Sequence, residues 1–263
     1  MFRIFLYLYV QQVRIKTLLA YRGKSWRNLP IRECGEKLVM VSTEMCYPFY
    51  HQEMKISDGN RILLREGVME KYLLAREILQ RRDLDLLVYD GWRSIQLQEN
   101  LFWYYLKLFM VSRFNLQESF IEAESPRQIK QAFFALSLNM QEVLREANQT
   151  YVSWPSADPK SPSPHTTGGA IDVWPYENGR RLNLGVPFDW MEEDAGAFYH
   201  LKRKRKKFPG NDGLAVHYRN LLIYAMTQAG FSCYGPEIWH FNYGNQMDSL
   251  VSGKLARYSY VEP

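Results

Sequence analysis

Cysteine is scarce in this chain of 263 residues: only Cys34, Cys46 and Cys233 are present. An odd number without regular spacing excludes a disulfide framework. No pair has metal-site spacing, so all three read as small buried or half-buried side chains. Long apolar runs are also missing. The N-terminal stretch from Ile4 to Val10 stops at Gln11, Gln12, Arg14 and Lys16, far short of the ~20 residues a membrane helix needs. Arg3 precedes it as a basic residue precedes a signal peptide, but a small-x-small cleavage site is lacking. The segment is therefore expected to pack on the domain as a helix or strand. Internal repeats and low-complexity tracts are absent.

What is present suits a globular protein. Hydrophobic residues make up 46% and charged residues 23%, ordinary values for a soluble domain. Aromatics reach 15%, so the core should rest on Tyr, Phe and Trp. The formal net charge of +5 would permit nucleic-acid binding. Much of that excess lies in the run Lys202 to Lys207, which reads as a solvated loop, so no nucleic-acid partner is expected.

Val68, Tyr72, Ala75 and Leu79 recur at helical spacing and predict a helix over roughly 62–81. Leu84 to Tyr89 reads as a buried strand. Helices are expected over Ile95 to Phe109 and over Gln128 to Glu146, the second led by Ser125-Pro126 as N-cap and first residue. Residues 153–167 form a proline-rich loop, and Ala170 to Trp174 a strand. Residues 183–212 look irregular. Ala215 to Ala229 reads as a helix stopped by Gly230. Phe231 to Tyr234 and Ile238 to Tyr243 read as strands joined at Gly235-Pro236. Helices in front and strands carrying polar motifs behind predict an α+β fold, with residues 1–29 as an extension and 30–263 as one domain.

The chemistry-bearing residues lie in two stretches, Ser163-Pro164-His165-Thr166-Thr167-Gly168-Gly169-Ala170-Ile171-Asp172 and Glu237-Ile238-Trp239-His240. In the strand, Ile171 and Val173 would face the core and Asp172 the opposite side. An unbroken strand would put His165 on the wrong face. Gly168-Gly169 lets the backbone turn and bring it back. Pro236 places Glu237 at a strand entrance, where its carboxylate can swing toward His240. Two imidazoles and a carboxylate can hold one metal ion with a position left for water, and a spare carboxylate can act as base. Spacing alone leaves a hydrogen-bonded structural role open as well. His51, His200 and His217 lie outside both stretches and read as structural.

Together these motifs resemble those of the VanX-type D-alanyl-D-alanine dipeptidases, zinc peptidases whose wider group includes D,D-carboxypeptidases. The family pattern Ser-x-His-x-x-Gly-x-Ala-x-Asp is matched by Ser163, His165, Gly168, Ala170 and Asp172. Glu237, Trp239 and His240 match its Glu-x-Trp-His. Tyr89-Asp90-Gly91-Trp92-Arg93-Ser94 resembles its Asp-(Gly/Ala)-(Trp/Tyr)-Arg element, and Ile31 to Glu36 resembles an early segment. The likeness spans about residues 30–245.

The resemblance implies a hedgehog/D,D-peptidase-like fold, in which helices flank a small central antiparallel sheet carrying one zinc. It implies His165, Asp172 and His240 as zinc ligands and Glu237 as the base activating zinc-bound water. Arg93 would stabilise the oxyanion, the planar fork suiting developing negative charge, and Ser163 would help hold substrate. The family usually carries Asp-Met-Gly between the two motifs, its Asp contacting the substrate ammonium. The matching stretch here is Asn183-Leu184-Gly185, which makes Asn183 the expected substrate contact and leaves Asp189 as an alternative.

The implied activity is zinc-dependent hydrolysis of D-alanyl-D-alanine or a related D,D-dipeptide. The alternatives are a D,D-carboxypeptidase acting on peptidoglycan stem peptides and a non-catalytic zinc-binding module. A cytoplasmic setting is expected, or a periplasmic one should the N-terminal stretch be a signal.

Overall fold

The structure is a computed structural model and describes residues 2–57, 59–113 and 125–263. A short antiparallel pair, β1 (Leu38–Met40) and β2 (Leu63–Arg65), sits beside the main sheet. That sheet is built from β3 (Asp85–Asp90), β4 (Ala170–Glu177), β5 (Arg180–Arg181), β6 (Ser232–Cys233) and β7 (His240–Asn242). Its order is β3-β4-β7-β6, with β5 folding back on the far end of β4, and every pairing is antiparallel. Mixed helices around a small antiparallel sheet make this an α+β fold.

Helix α1 (Phe2–Tyr21) buries Leu6, Val10 and Thr17, so the N-terminal stretch is a helix packed on the body. A single turn, α2, covers Phe49–Gln52. Helix α3 spans Glu66–Gln80 and buries the four residues whose spacing announced it, Val68, Tyr72, Ala75 and Leu79. It starts later than expected because Leu63–Arg65 pair with β1 instead. Helix α4 covers Ile95–Arg113.

The helix expected over Gln128 to Glu146 is two helices, α5 (Pro126–Phe134) and α6 (Leu138–Gln149). Ser125 caps the first in a full capping box with Gln128. Ser137 supplies the break: its side chain accepts from Met140 N at 3.4 Å and starts a new helix, a local bond that competes with continuing the old one. The break lets Phe133 and Leu144 enter the same core.

Helix α7 (Asp212–Gln228) is capped by Asn211 and followed by Gly230 at φ +105°. Helix α8 spans Gln246–Ser252. The two strands expected after α7 shrink to Ser232–Cys233 and His240–Asn242, leaving residues 234–239 as a turn.

Among the described residues two apolar cores result. One joins the sheet to α1, α3 and α7 through residues such as Leu86, Ile171, Val173 and Phe241. The other fills the space among α4, α5 and α6. Cys233 is buried and Cys46 half-buried, but Cys34 is exposed, contrary to expectation. Among the described residues no helix is long and apolar enough to cross a membrane.

Candidate active site

The sheet register builds the site. A bulge between Val88 and Asp90 shifts the end of β3, so Asp90 faces Asp172, and Asp172 faces His240 on the other side. Neighbours in one row across a sheet project from the same face. The bulge therefore adds Asp90 to a row that alternation along β4 alone would not reveal. Ile171 and Val173 point the other way and are fully buried in the core.

His165 arrives from a tight turn, residues 165–167, that ends at Gly168 with φ +69°. A left-handed conformation suits glycine. A side chain there would also meet Leu38 Cδ2 at 2.6 Å. On the facing loop, a Cβ at Gly91 would lie 2.5 Å from Leu63 O. With no side chain, the Gly91 carbonyl can accept from His165 Nδ1 at 2.7 Å.

Those hydrogen bonds set the tautomers. His165 donates Nδ1–H to Gly91, which leaves a lone pair on Nε2. His240 Nε2 lies 3.3 Å from Asn242 Oδ1, an acceptor, which leaves the lone pair on Nδ1. The two unprotonated nitrogens face each other at 3.2 Å. Asp172 Oδ1 stands 3.0 Å from His240 Nδ1 yet has no hydrogen-bond partner. Asp172 Oδ2 lies 3.5 Å from His165 Nε2. Three electron-pair donors, all within 4.8 Å of one another and all buried, thus converge with no proton between them. Such a cluster is costly unless a cation fills it. Two imidazoles and one carboxylate fit zinc, and the bonds to Gly91 and Asn242 are the outer contacts that orient such ligands.

Burial pushes the His165 pKa well down, and Arg93 pushes it further, so the ring is neutral as a ligand must be. Burial alone would raise Asp172, but the Arg93 guanidinium, which donates to its Oδ2, holds its carboxyl below the usual range.

Glu237 sits in the turn before β7, 4% exposed, with Oε2 3.7 Å from His240 Nδ1. Because it lies in a turn, strand alternation places no constraint on it. Burial, then Asp172 and Asp189, push its pKa well up. Arg93 is buried beside it. Nε donates to Asp90 Oδ2 at 2.5 Å, Nη1 to Gln98 Oε1 at 3.2 Å, and Nη2 to Tyr50 Oη at 3.2 Å and Asp172 Oδ2 at 3.3 Å. Among the described residues, four of the five guanidinium N–H groups are thereby engaged, and one on Nη1 remains.

His165, Asp172, His240, Glu237 and Arg93 all line one narrow cavity of about 40 Å³, together with Tyr50, Tyr105 and Asp189. The profile of the D-ala-D-ala dipeptidase family (Peptidase_M15) matches residues 114–259, more than half of the chain. The chain belongs to this peptidase family. Along most of its length it is also similar to a "D-alanyl-D-alanine dipeptidase" of Synechocystis sp. (strain ATCC 27184 / PCC 6803 / Kazusa), with 25% identity over 240 residues, 85% of this chain and 88% of the relative. Among solved structures, the vancomycin-resistance D,D-pentapeptidase VanY with Zn(II) aligns at a TM-score of 0.39 and 12% identity. That alignment covers 88% of this chain and 97% of the other, a distant likeness.

In this family member, two expected substrate contacts lie away from the cavity. Ser163 is fully buried, donates to Trp154 O at 2.7 Å and accepts from Ser156 N at 3.1 Å, so its hydroxyl braces the loop before His165. Asn183 is exposed and accepts from Gly185 N at 2.7 Å, closing a local turn. Asp189 is the residue that enters. It holds φ +63°, an uncommon backbone for a non-glycine residue that favours Asp and Asn. Its Oδ2 accepts from Tyr105 Oη. Phe188, packed against Trp239 at 5.2 Å between ring centroids, anchors the loop that delivers it. Tyr50, Gln98 and Tyr105 were not foreseen either. Their signal is only tertiary, since Tyr50 reaches the cavity from α2 and Gln98 and Tyr105 from α4, two helices far apart in sequence. His51 and His200 hydrogen-bond to Ser57 O and Asn220 Oδ1 away from the site.

Proposed function

We propose that this peptidase hydrolyses D-alanyl-D-alanine with the help of one zinc ion held by His165, Asp172 and His240. The convergence of three buried lone pairs beside Glu237 and Arg93 carries the reading. Bound there, zinc supplies Lewis acidity and makes a neighbouring water acidic enough to attack near neutral pH.

The chain's own groups do the rest. Glu237 takes a proton from the attacking water as the new C–O bond forms. It then gives that proton to the leaving nitrogen as the C–N bond breaks. The remaining Nη1–H of Arg93 is available to the carbonyl oxygen as that oxygen gains charge. Asp90, Gln98 and Tyr50 fix the guanidinium plane, so little reorganisation is needed during reaction. Asp189 offers a carboxylate to the free ammonium of a dipeptide. Asn183 lies outside the cavity, so its lack of charge does not bear on how the ammonium is read.

The test is hydrolysis of free D-Ala-D-Ala, N-acetyl-D-Ala-D-Ala and a stem pentapeptide by the purified protein, with and without chelator. Turnover of the free dipeptide that stops on chelation and returns with zinc supports the reading. Turnover of the pentapeptide alone would make it a carboxypeptidase, and no metal-dependent turnover of any would refute the proposal.

A further inference from the structure

Helix α1 is apolar on two opposite sides. Leu6, Val10 and Thr17 are buried against the body. Ile4, Leu8, Ile15 and Leu19 are 67%, 56%, 56% and 60% exposed. At 3.6 residues per turn, the spacing of this second set places all four on one outward face. Phe5 and Leu18 extend it and are about half exposed. Single exposed apolar side chains are ordinary, but a contiguous stripe marks a surface that meets something apolar.

The charges beside the stripe say what. On the helical wheel Arg14 falls at one edge and Lys16 at the other, with Arg22 and Lys24 just beyond the C-terminal end. Among the described residues none of these four makes an ion pair. Residues 1–32 hold seven of the 33 Lys and Arg and none of the 28 Asp and Glu. The remainder holds 26 basic against 28 acidic residues, so residues 1–32 stand out as a segment of one sign. A second copy of this face would bring cations against cations with no acid to pair them. An apolar stripe flanked by Lys and Arg complements an anionic lipid surface. α1 does not cross a bilayer and one side of it is committed to the body, so it can only lie flat.

We propose that α1 docks this protein on anionic lipid bilayers, the stripe entering the headgroup region and the flanking cations meeting lipid phosphates. This holds independently of the peptidase reading, since none of these residues lines the catalytic cavity.

The test is co-sedimentation of the full chain with phosphatidylcholine vesicles, alone and doped with phosphatidylglycerol. Binding should require the anionic lipid and weaken with salt. Leu8→Glu/Ile15→Glu and Arg14→Glu/Lys16→Glu should each lower the partition coefficient by roughly tenfold or more. Leu8 and Ile15 face solvent, while Arg14, half-buried, and Lys16 sit at the rim of the stripe. None lines the cavity, so hydrolysis of soluble substrate should stay unchanged in both variants, and the melting temperature should stay unchanged in Leu8→Glu/Ile15→Glu. Equal binding to both vesicle types, or none to either, would overturn the proposal. So would a solution dimer that Leu8→Glu/Ile15→Glu splits while vesicle binding is missing.

Discussion

Asp189→Asn removes one negative charge from the cavity and almost nothing else. Asn tolerates the left-handed backbone as Asp does, so φ +63° is kept. Its amide oxygen can still accept from Tyr105 Oη. What is lost is the charge facing the substrate ammonium. A charge-assisted hydrogen bond is worth about 1.5–3 kcal/mol and a neutral one about 0.5–1.5, so the loss starts at roughly tenfold. The cavity is buried, and a unit pair 4 Å apart at an effective dielectric of about 20 gains about 4 kcal/mol, which sets an upper bound near 10³-fold. The assay is kcat/KM for free and for N-acetylated D-Ala-D-Ala, expressed as a ratio. The native ratio should strongly favour the free dipeptide. Asp189→Asn should cut it by ~10–10³-fold, mostly through the free substrate, while Asn183→Asp should leave it unchanged. The ratio should also fall with pH. Burial raises the Asp189 carboxyl to about 6, against the hydrogen bonds from Tyr105 and Tyr50 that favour its charged form. As pH drops through that value the carboxylate is protonated and stops reading the ammonium. Glu237 acts on both substrates alike, so the ratio isolates Asp189. A ratio insensitive to Asp189→Asn, or one that responds to Asn183→Asp, would refute this reasoning.

His240→Ala should lose most of the single equivalent of zinc that elemental analysis finds in the native protein, and full retention would remove it from the ligand set. Glu237→Ala should keep the metal and lose at least ~10²-fold in turnover; metal loss instead would make it a ligand. Arg93→Lys keeps a charge but cannot reach Asp90, Gln98, Tyr50 and Asp172 together, so kcat should fall by roughly 10²–10³-fold with KM less affected. An effect on KM alone would point to ground-state binding. Ser163→Ala strands Trp154 O and Ser156 N without their partner, so denaturant unfolding should show a loss of about 1–3 kcal/mol. Its KM should stay near native; a large rise would restore Ser163 to substrate binding.

The local part of this protein was legible in its sequence. The helical spacing of α3, the Ser125-Pro126 start of α5, the Gly230 stop of α7 and the alternation in β4 each depend on neighbours within a few residues, and the structure has all of them. The turn at Gly168-Gly169 that returns His165 toward Asp172 is local in the same sense. Family membership could be read from three short motifs in order, because each is contiguous.

What tertiary structure decided is long-range. Asp90 joins the row of Asp172 and His240 only because a bulge shifts the β3 register against a strand some eighty residues away. Arg93 has four protein partners drawn from β3, α2, α4 and β4; Asp90 and Asp172 belong to the motifs, but no motif names Tyr50 or Gln98 or says that the four meet. The break at Ser137 wins over a continuous helix because it lets both halves reach one core. Asn183 and Asp189 are six residues apart and chemically close. Only the path of the loop, with Phe188 held against Trp239, sends Asp189 into the cavity and leaves Asn183 in solvent. Sequence spacing sets which residue types are at hand; where an irregular loop points is set by what it packs against.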